Sequence, residues 1–492
     1  MVLKESPIIL TADESLMLNP SEHIFQNYLT CFPPNPYLEK LIKRMVVSLK
    51  HYENGEVQVA PLSLRIVESI LFNAGLQDSY VKTVHPAYLD RYISDETKIV
   101  GISVIDPLGL GPLSSTIKAF LGGEPYLKLK FLELISKLRK LKEKYHFKIV
   151  IGGPGSWQLA NKEIMDFYNI DYVFIGEGEK ILPKLFYDLL NGSPPTRNII
   201  FSEPADPEEI PSIRKSTIGG MIEATRGCDR GCSWCYSSKL NGRNNMRTIP
   251  VDTIKKSAKV AAVMNNGRIL LQSDDILRYG SKNFIPDIDM ILNLLKELCE
   301  IKEVKKIAFL HFTFSSIATC PDILQKIEKF LGKCSYKNKI IQVGLETGSV
   351  RLLRKYMYGK ILPFKPEEWH ETVREACKIL KNNNWFCYTT LIIGFPDEER
   401  DDVRETIELI NKIDVFPLII VPLLYTPLLS FDGQEHKPLI HNRHLLREHI
   451  ILLQLIEKHN RKTLTYIPQD LRKIVCYFTQ QFLFNHYKNV KT

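Results

Sequence analysis

From Lys98 to Leu423 the chain alternates short apolar runs with helix-forming segments, and this alternation constrains the fold more than any other feature. Ile99–Val104, Lys148–Ile151 and Tyr172–Ile175 are apolar on successive residues rather than on every second one. That pattern belongs to strands buried on both faces. Helices are expected between them, near Leu127–Tyr145 with a basic outer face and near Asn161–Tyr168. Each run empties into a glycine-bearing loop: Asp106-Pro107-Leu108-Gly109-Leu110-Gly111, Gly152-Gly153-Pro154-Gly155 and Gly176-Glu177-Gly178-Glu179. Strands, helices and loops in this order predict a doubly wound, Rossmann-like parallel sheet, which takes ligands at the carboxyl ends of its strands.

The alternation resumes at Gly219. Met221–Ala224, Arg268–Leu271, Lys306–Phe312, Ile340–Leu345, Phe386–Ile393 and Leu418–Leu423 are candidate strands. Six strand–helix units predict a partial (β/α)6 barrel with its chemistry at the carboxyl ends of the strands. A chain of 492 residues is too long for one core. The expected α/β organisation is an N-terminal extension over 1–80, a doubly wound domain over 81–192, a Pro- and charge-rich linker over 193–216, the barrel over 217–430, and a helical tail over 431–492. The extension opens on a strand-like run, Pro7–Thr11, and carries helix signals at Tyr37–Leu49 and Leu62–Ala74. The tail reads as two helices on either side of Pro468.

The net charge of +9 would suit nucleic acid or anionic lipid, but the basic residues are spread along the chain and read as a solvated surface without a dedicated nucleic-acid module. No apolar run approaches the roughly 18 residues of a spanning helix. The N-terminus is too short in apolar residues, and too acidic, for a secretory signal. A cytoplasmic protein is expected, with peripheral contact at the inner face of the membrane left open by the tail. There His449–Ile456, Val475–Phe478 and Phe482–Phe484 are apolar with Lys and Arg beside them. Such helices either lie on a membrane and hold an acyl chain, or close the barrel as core helices.

Of ten cysteines only Cys228, Cys232 and Cys235 lie close together. Spread through a chain of this size and class they do not suggest a disulfide framework; metal or catalytic use suits the close group better, and the other seven read as small buried hydrophobes. The trio directly follows the first barrel strand, where a loop opens at the top of the sheet. Thiolates hold iron–sulfur clusters, and three of them leave one iron open, as a catalytic metal site requires by analogy with zinc. Gly227 and Gly231 let the backbone wrap a cluster closely, and Trp234 would shield one side from water. Structural zinc would need a fourth ligand, and no second Cys-x2-Cys or His-x3-His pair sits nearby.

This Cys-x3-Cys-x2-Cys, with an aromatic residue before its last cysteine, resembles the radical S-adenosylmethionine (SAM) superfamily. The resemblance implies a [4Fe–4S] cluster on Cys228, Cys232 and Cys235 whose open iron takes the amino and carboxyl groups of SAM; one-electron reduction then releases a 5′-deoxyadenosyl radical. Leu271-Gln272-Ser273-Asp274-Asp275 stands where the family has a Gly-Gly-Glu stretch, so Asp274 or Asp275 would bind the ammonium of SAM, an ordinary helix cap being the alternative. Val343-Gly344-Leu345-Glu346-Thr347-Gly348-Ser349 looks like the family's Gly-Ile-Glu-Ser-Gly element. It implies Glu346 at the ribose or methionine part, where the other reading is a buried salt bridge, and Gly348 at a close backbone passage. Leu391–Glu398 resembles the last adenine-contacting strand, with Gly394 clearing room for the ring.

A doubly wound domain ahead of such a barrel resembles the cobalamin-binding subclass, on Gly101-Ile102-Ser103 and the loops of Gly152, Gly153 and Gly176, which the resemblance places at the cofactor. The Asp-x-His-x-x-Gly motif that supplies a cobalt ligand in some members is missing. Either cobalamin binds without a histidine or the domain shapes the substrate cleft. The layout looks most like the ring synthases of archaeal tetraether lipids, which implies carbon–carbon bond formation between unactivated alkyl positions. A cobalamin-dependent methyltransferase is the alternative. A transfer-RNA methylthiotransferase is disfavoured because residues 1–200 hold only Cys31 rather than a second cysteine trio, and because no C-terminal RNA-binding domain is evident. A non-catalytic iron–sulfur protein would leave the SAM-binding elements unexplained. A small-molecule or lipid substrate and a ferredoxin- or flavodoxin-like reductant are the expected partners.

Overall fold

The computed structural model describes residues 6–20, 26–47, 55–240, 246–336, 339–427, 445–466 and 472. The N-terminal half is built on a parallel six-stranded sheet of β1 (Ile8–Ala12), β2 (Val81–Thr83), β3 (Ile99–Ser103), β4 (Lys148–Gly152), β5 (Tyr172–Ile175) and β6 (Ile199–Phe201), in the order β2-β1-β3-β4-β5-β6. The three strands read from the sequence stand within a residue of their expected ends. Helices Leu62–Asn73 and Leu182–Leu190 cover one face. Tyr126–Lys144 and Lys162–Tyr168 cover the other. The chain therefore leaves β1 toward one face and β3 toward the opposite face, which puts the topological switch point between their carboxyl ends.

Two expected boundaries move. The segment read as an extension supplies β1, an interior strand whose five residues are all buried. The segment read as a linker supplies the edge strand β6. Both errors have one cause: strand membership is decided by distant pairing, here Ile8 against Ile99 and Val173 against Ile199, which local periodicity does not carry.

The barrel strands are β7 (Met221–Glu223), β8 (Arg268–Gln272), β9 (Lys306–Phe309), β10 (His311–Phe312), β11 (Ile340–Glu346), β12 (Phe386–Ile393) and β13 (Leu418–Leu424), all parallel. The third strand, expected to be continuous over Lys306–Phe312, breaks at Leu310. Its first part pairs with β8 and its second with β11, so a six-unit wall bends in two arcs around one core.

The outer edge of β13 is closed by helix Arg447–Thr463. The Asn460 amide donates to the Ile420 carbonyl at 2.8 Å and accepts from the Ile420 N–H at 2.8 Å, imitating a further strand. Leu452 and Ile456 of this helix are buried in the barrel core. The tail helix is thus a core element through Leu452 and Ile456, while Ile451 is exposed. The second tail helix and the Val475–Phe484 segment lie outside the described residues. Among the described residues no helix is long and apolar enough to cross a membrane.

The two halves share a further core. Leu29, Phe32, Leu38 and Ile117 from the N-terminal half pack with Tyr388 and Ile419 of the barrel. The Thr116 hydroxyl accepts from the Leu424 N–H at 2.8 Å.

Candidate active site at the carboxyl ends of the barrel strands

The cysteine loop leaves β7 through Thr225–Arg226, which pairs antiparallel with Arg247–Thr248. It turns at Gly227 and Gly231, both at positive φ (82° and 65°), as the close wrapping expected of them requires. The Ser233 N–H donates to the Tyr356 carbonyl at 3.0 Å and the Cys235 N–H to the Cys232 carbonyl at 3.1 Å. Trp234 stands edge-on to Phe395 and Tyr425, with ring centres 5.5 and 6.4 Å away. These three rings pack along one side of the loop.

Arg230, between the first two cysteines, is buried. Its guanidinium donates to the carbonyls of Gly359 (3.0 Å) and Lys360 (2.8 Å), to Thr313 and Ser316, and to Asp275 at 3.0 Å. One side chain thus ties the loop to the ends of three neighbouring elements. Nothing in the sequence pattern marks this role.

Burial pushes the thiols up, that of Cys232 to about 12. Cys235 acts electrostatically on both Cys228 and Cys232, and Lys360 and Arg230 oppose the burial effect at Cys232. Three thiols within each other's field, flanked by cations, fit an anionic iron–sulfur cluster. Among the described residues no three His, Cys, Asp or Glu side chains stand at the spacing of a single-ion site.

The two aspartates expected at the SAM ammonium have different surroundings. Asp274 receives a hydrogen bond from the Ser237 hydroxyl at 3.4 Å, and burial raises its carboxyl to about 6. Its field reaches Cys228 and Cys235. Asp275 instead accepts from Arg230 (3.0 Å), Thr313 (2.7 Å) and Ser316 (2.6 Å) through one oxygen. Asp274 therefore suits an ammonium beside the cluster, whereas Asp275 anchors Arg230.

Glu346 closes β11 at φ +67°, a conformation rarely adopted by non-glycine residues, at a register shift against β12. Its carboxylate pairs with Lys360 at 2.8 Å and accepts from the Thr390 hydroxyl at 3.1 Å. A Cβ on Gly344 would lie 2.1 Å from Glu346 Oε1 and 2.4 Å from Lys360 Nζ, so glycine is what makes room for the pair. Burial pulls the Lys360 ammonium down, while Glu346 and Cys232 more than reverse it, so its pKa ends above the ordinary value. Lys360 was not legible in the sequence; one lysine in a short helix after β11 carries no motif.

Gly348 stands at a close backbone passage. A Cβ there would meet the backbone of Glu405 and Thr406 at 2.7 Å, so its close passage is against helix Arg400–Ile413. Gly394 sits at φ +83°, and its N–H donates to Glu398 Oε2 at 2.6 Å. It opens the turn that brings Phe395 to Trp234. Deeper in the barrel, Gln342 Oε1 lies 2.9 Å from the Tyr388 hydroxyl, 3.1 Å from that of Tyr28 and 3.0 Å from His311 Nε2. This buried polar group includes a residue of the N-terminal half and was not foreseen either.

At the N-terminal sheet, the glycine loops largely serve the domain itself. A Cβ on Gly153 would lie 2.7 Å from the Val104 carbonyl, and one on Gly176 2.3 Å from that of Ser202. Gly152 differs, its nearest neighbour being Phe174 at 3.9 Å, so its face at the carboxyl end of β4 is open. The Asp106 carboxylate accepts from the Gly111 N–H at 2.8 Å and the Gln158 amide at 2.7 Å, folding loop 106–111 on itself. That loop contains no histidine, and the side chain of Ile105 beside it is exposed.

Residues 222–410 match the Radical SAM superfamily. In sequence the chain is similar to the tRNA-2-methylthio-N(6)-dimethylallyladenosine synthases of Natranaerobius thermophilus (26% identity; 58% of this chain and 60% of that protein) and Bacillus cytotoxicus (28%; 55% and 50%). It thus spans only half to three-fifths of the length of these relatives. In fold it is similar to the radical SAM methyltransferase TsrM of Kitasatospora setae, at a TM-score of 0.56 and 15% identity over 86% of this chain and 74% of that one. That protein has been solved with tryptophan and a SAM analogue, and with cobalamin and a [4Fe–4S] cluster. Residues 222–410 thus carry a radical SAM domain, preceded in the chain by a parallel-sheet domain.

Proposed function

We propose that the enzyme functionalises an unactivated carbon held in the barrel, and that methyl transfer to that carbon, assisted by a corrinoid on the N-terminal sheet, is the reaction its architecture supports best. The observation that carries this reading is the strand order β2-β1-β3-β4-β5-β6 in a domain packed against the barrel. It offers a switch-point ligand site beside a SAM site.

When bound, a reduced [4Fe–4S] cluster on Cys228, Cys232 and Cys235 supplies the electron that cleaves SAM. The residues of this chain orient and shield. Asp274 receives the ammonium, the Lys360–Glu346 pair offers a cation and an acceptor to the rest of the cosubstrate, and Trp234, Phe395 and Tyr425 keep water from the loop. Gln342, His311, Tyr388 and Tyr28 give the substrate chamber uncharged donors and acceptors. A reductant of ferredoxin or flavodoxin type and a small-molecule or lipid substrate complete the reading.

Carbon–carbon bond formation in tetraether lipids is the reading the sequence layout favours, but the tail helix that supported it packs Leu452 and Ile456 into the barrel core, and neither relative's name refers to lipid. The sequence relatives point to methylthiolation, but residues 1–200 supply only Cys31 for a second cluster.

Mass spectrometry of extracts from cells expressing the protein separates the three. A product heavier by one methylene supports methyl transfer, loss of two hydrogens supports ring closure, and gain of CH2S supports methylthiolation. Absence of retained corrin absorbance after anaerobic reconstitution with hydroxocobalamin would remove the corrinoid from the proposal.

A further inference from the structure

The Gly176-Glu177-Gly178-Glu179 loop does something its position at a ligand-binding edge does not suggest. Glu177 and Glu179 turn away from the sheet toward the barrel and are buried there, with side chains 9% and 3% exposed. Glu177 Oε2 accepts from Arg226 at 3.0 Å and Arg247 at 2.7 Å; its other oxygen accepts from Arg247 at 2.5 Å. Glu179 accepts from Arg226 at 2.8 Å, and so does Glu223 at 2.6 Å. The Ala205 N–H, just beyond β6, donates to Glu177 at 3.0 Å.

The two arginines face each other across the short ladder in which Thr225 pairs with Thr248 and Arg226 with Arg247. Like charges at directly opposed positions push a ladder apart. Here they do so two residues before Cys228. Glu177, from the other half of the molecule, is the carboxylate that contacts both arginines. Among the described residues, Glu179 and Glu223 neutralise Arg226 and Glu177 is the carboxylate that reaches Arg247.

We propose that Glu177 is a positioning residue for the cysteine loop: by bridging Arg226 and Arg247 it holds the root of that loop against the N-terminal sheet and sets the cluster's place relative to SAM. The inference rests on the reading of Cys228, Cys232 and Cys235 as cluster ligands. Glu177 acts through the arginines and touches neither cluster nor SAM. The consequence is that the N-terminal half contributes to SAM cleavage whether or not it carries a ligand of its own.

The test uses the full chain, reconstituted anaerobically with iron and sulfide, and three proteins: wild type, Glu177→Gln, and Glu177→Gln with Arg247→Met. The readouts are iron content, the EPR spectrum of the dithionite-reduced protein with and without SAM, and the rate of 5′-deoxyadenosine formation. Glu177→Gln should keep its iron, yet lose the SAM-induced change in the EPR spectrum and cleave SAM about 10- to 100-fold more slowly, the cost of a small misplacement. The double variant, in which the unbalanced arginine is also gone, should recover to within about threefold of wild type, as coupled neighbours do.

If Glu177→Gln fails to fold, the double variant decides: recovery supports the clamp and failure to recover overturns it. A wild-type protein that takes up its cluster, beside a Glu177→Gln rate within about twofold of it, overturns the clamp alone. A wild-type protein that binds no cluster overturns the reading of the cysteines instead.

Discussion

Replacing Lys360 by Met tests whether the Lys360–Glu346 pair is a built part of the SAM site. The two charges are 2.8 Å apart, with side chains 13% and 10% exposed. At an effective dielectric of about 20 their attraction is about 6 kcal/mol, which desolvation of both groups offsets in large part. Removing one partner leaves that desolvation uncompensated. Lys360→Met should therefore lower stability by about 3–5 kcal/mol, a large share of the roughly 5–15 kcal/mol of a folded domain. Glu346→Gln with Lys360→Met removes both charges and should regain most of that loss. Urea titration of the cluster-free chain measures it through tryptophan fluorescence, since Trp234, Trp369 and Trp385 all pack in the barrel. Function separates from stability in the same set: the double variant should be stable yet should no longer change its EPR signal on SAM addition. The reasoning is refuted if Lys360→Met lies within about 0.5 kcal/mol of wild type, or if the double variant is no more stable than the single one.

Asp275→Asn should cost about 3–5 kcal/mol by stranding buried Arg230, whereas Asp274→Asn should not lower the urea midpoint and should abolish SAM binding by equilibrium dialysis. Asn460→Leu leaves the Ile420 N–H and carbonyl unpaired on the barrel's edge strand. It should cost about 2–5 kcal/mol and speed hydrogen exchange there, and unchanged exchange at Ile420 would contradict the strand-like role of that amide. Burial raises Asp13, after β1, from 3.8 to about 6. The folded state then holds this proton more tightly than the unfolded one, so the stability due to Asp13 is greatest below about pH 4. It falls by about 3 kcal/mol as pH rises through 6, at about 1.4 kcal/mol per unit. Asp13→Asn should lessen the pH dependence of the urea midpoint between pH 4 and 6, where Asp274 also contributes, and stabilise the protein at pH 7.5. A slope unchanged by the substitution would show that other groups cause it.

Much of this was legible before any coordinates. Strands buried on both faces announce themselves as unbroken apolar runs, and β12 has the limits its sequence suggests. The cysteine loop was legible because ligand chemistry compresses into a short spacing. Glu346 was singled out through the resemblance of Val343–Ser349 to a family element. What was hidden depends on the pairing of distant residues. Ile8–Ala12 looks like any short apolar run until Ile99 lies beside it. Lys360 and Arg230 acquire roles only when the segment after β11 folds across the cysteine loop. Asp274 and Asp275 are adjacent and chemically identical, and only the side chains around each one tell them apart. Gly348 and Gly176 also serve contacts that the sequence did not show, a close approach to a helix and to a loop of the protein itself.

The most direct test of the central claim is electron–nuclear double resonance on the reduced, reconstituted chain with SAM labelled by 15N at its amino group. Cys228, Cys232 and Cys235 holding three irons and leaving one open to SAM predicts a [4Fe–4S] signal carrying a direct nitrogen coupling, lost in Cys232→Ala. A protein that binds zinc rather than iron, or a cluster signal with no nitrogen coupling in the presence of SAM, would contradict it.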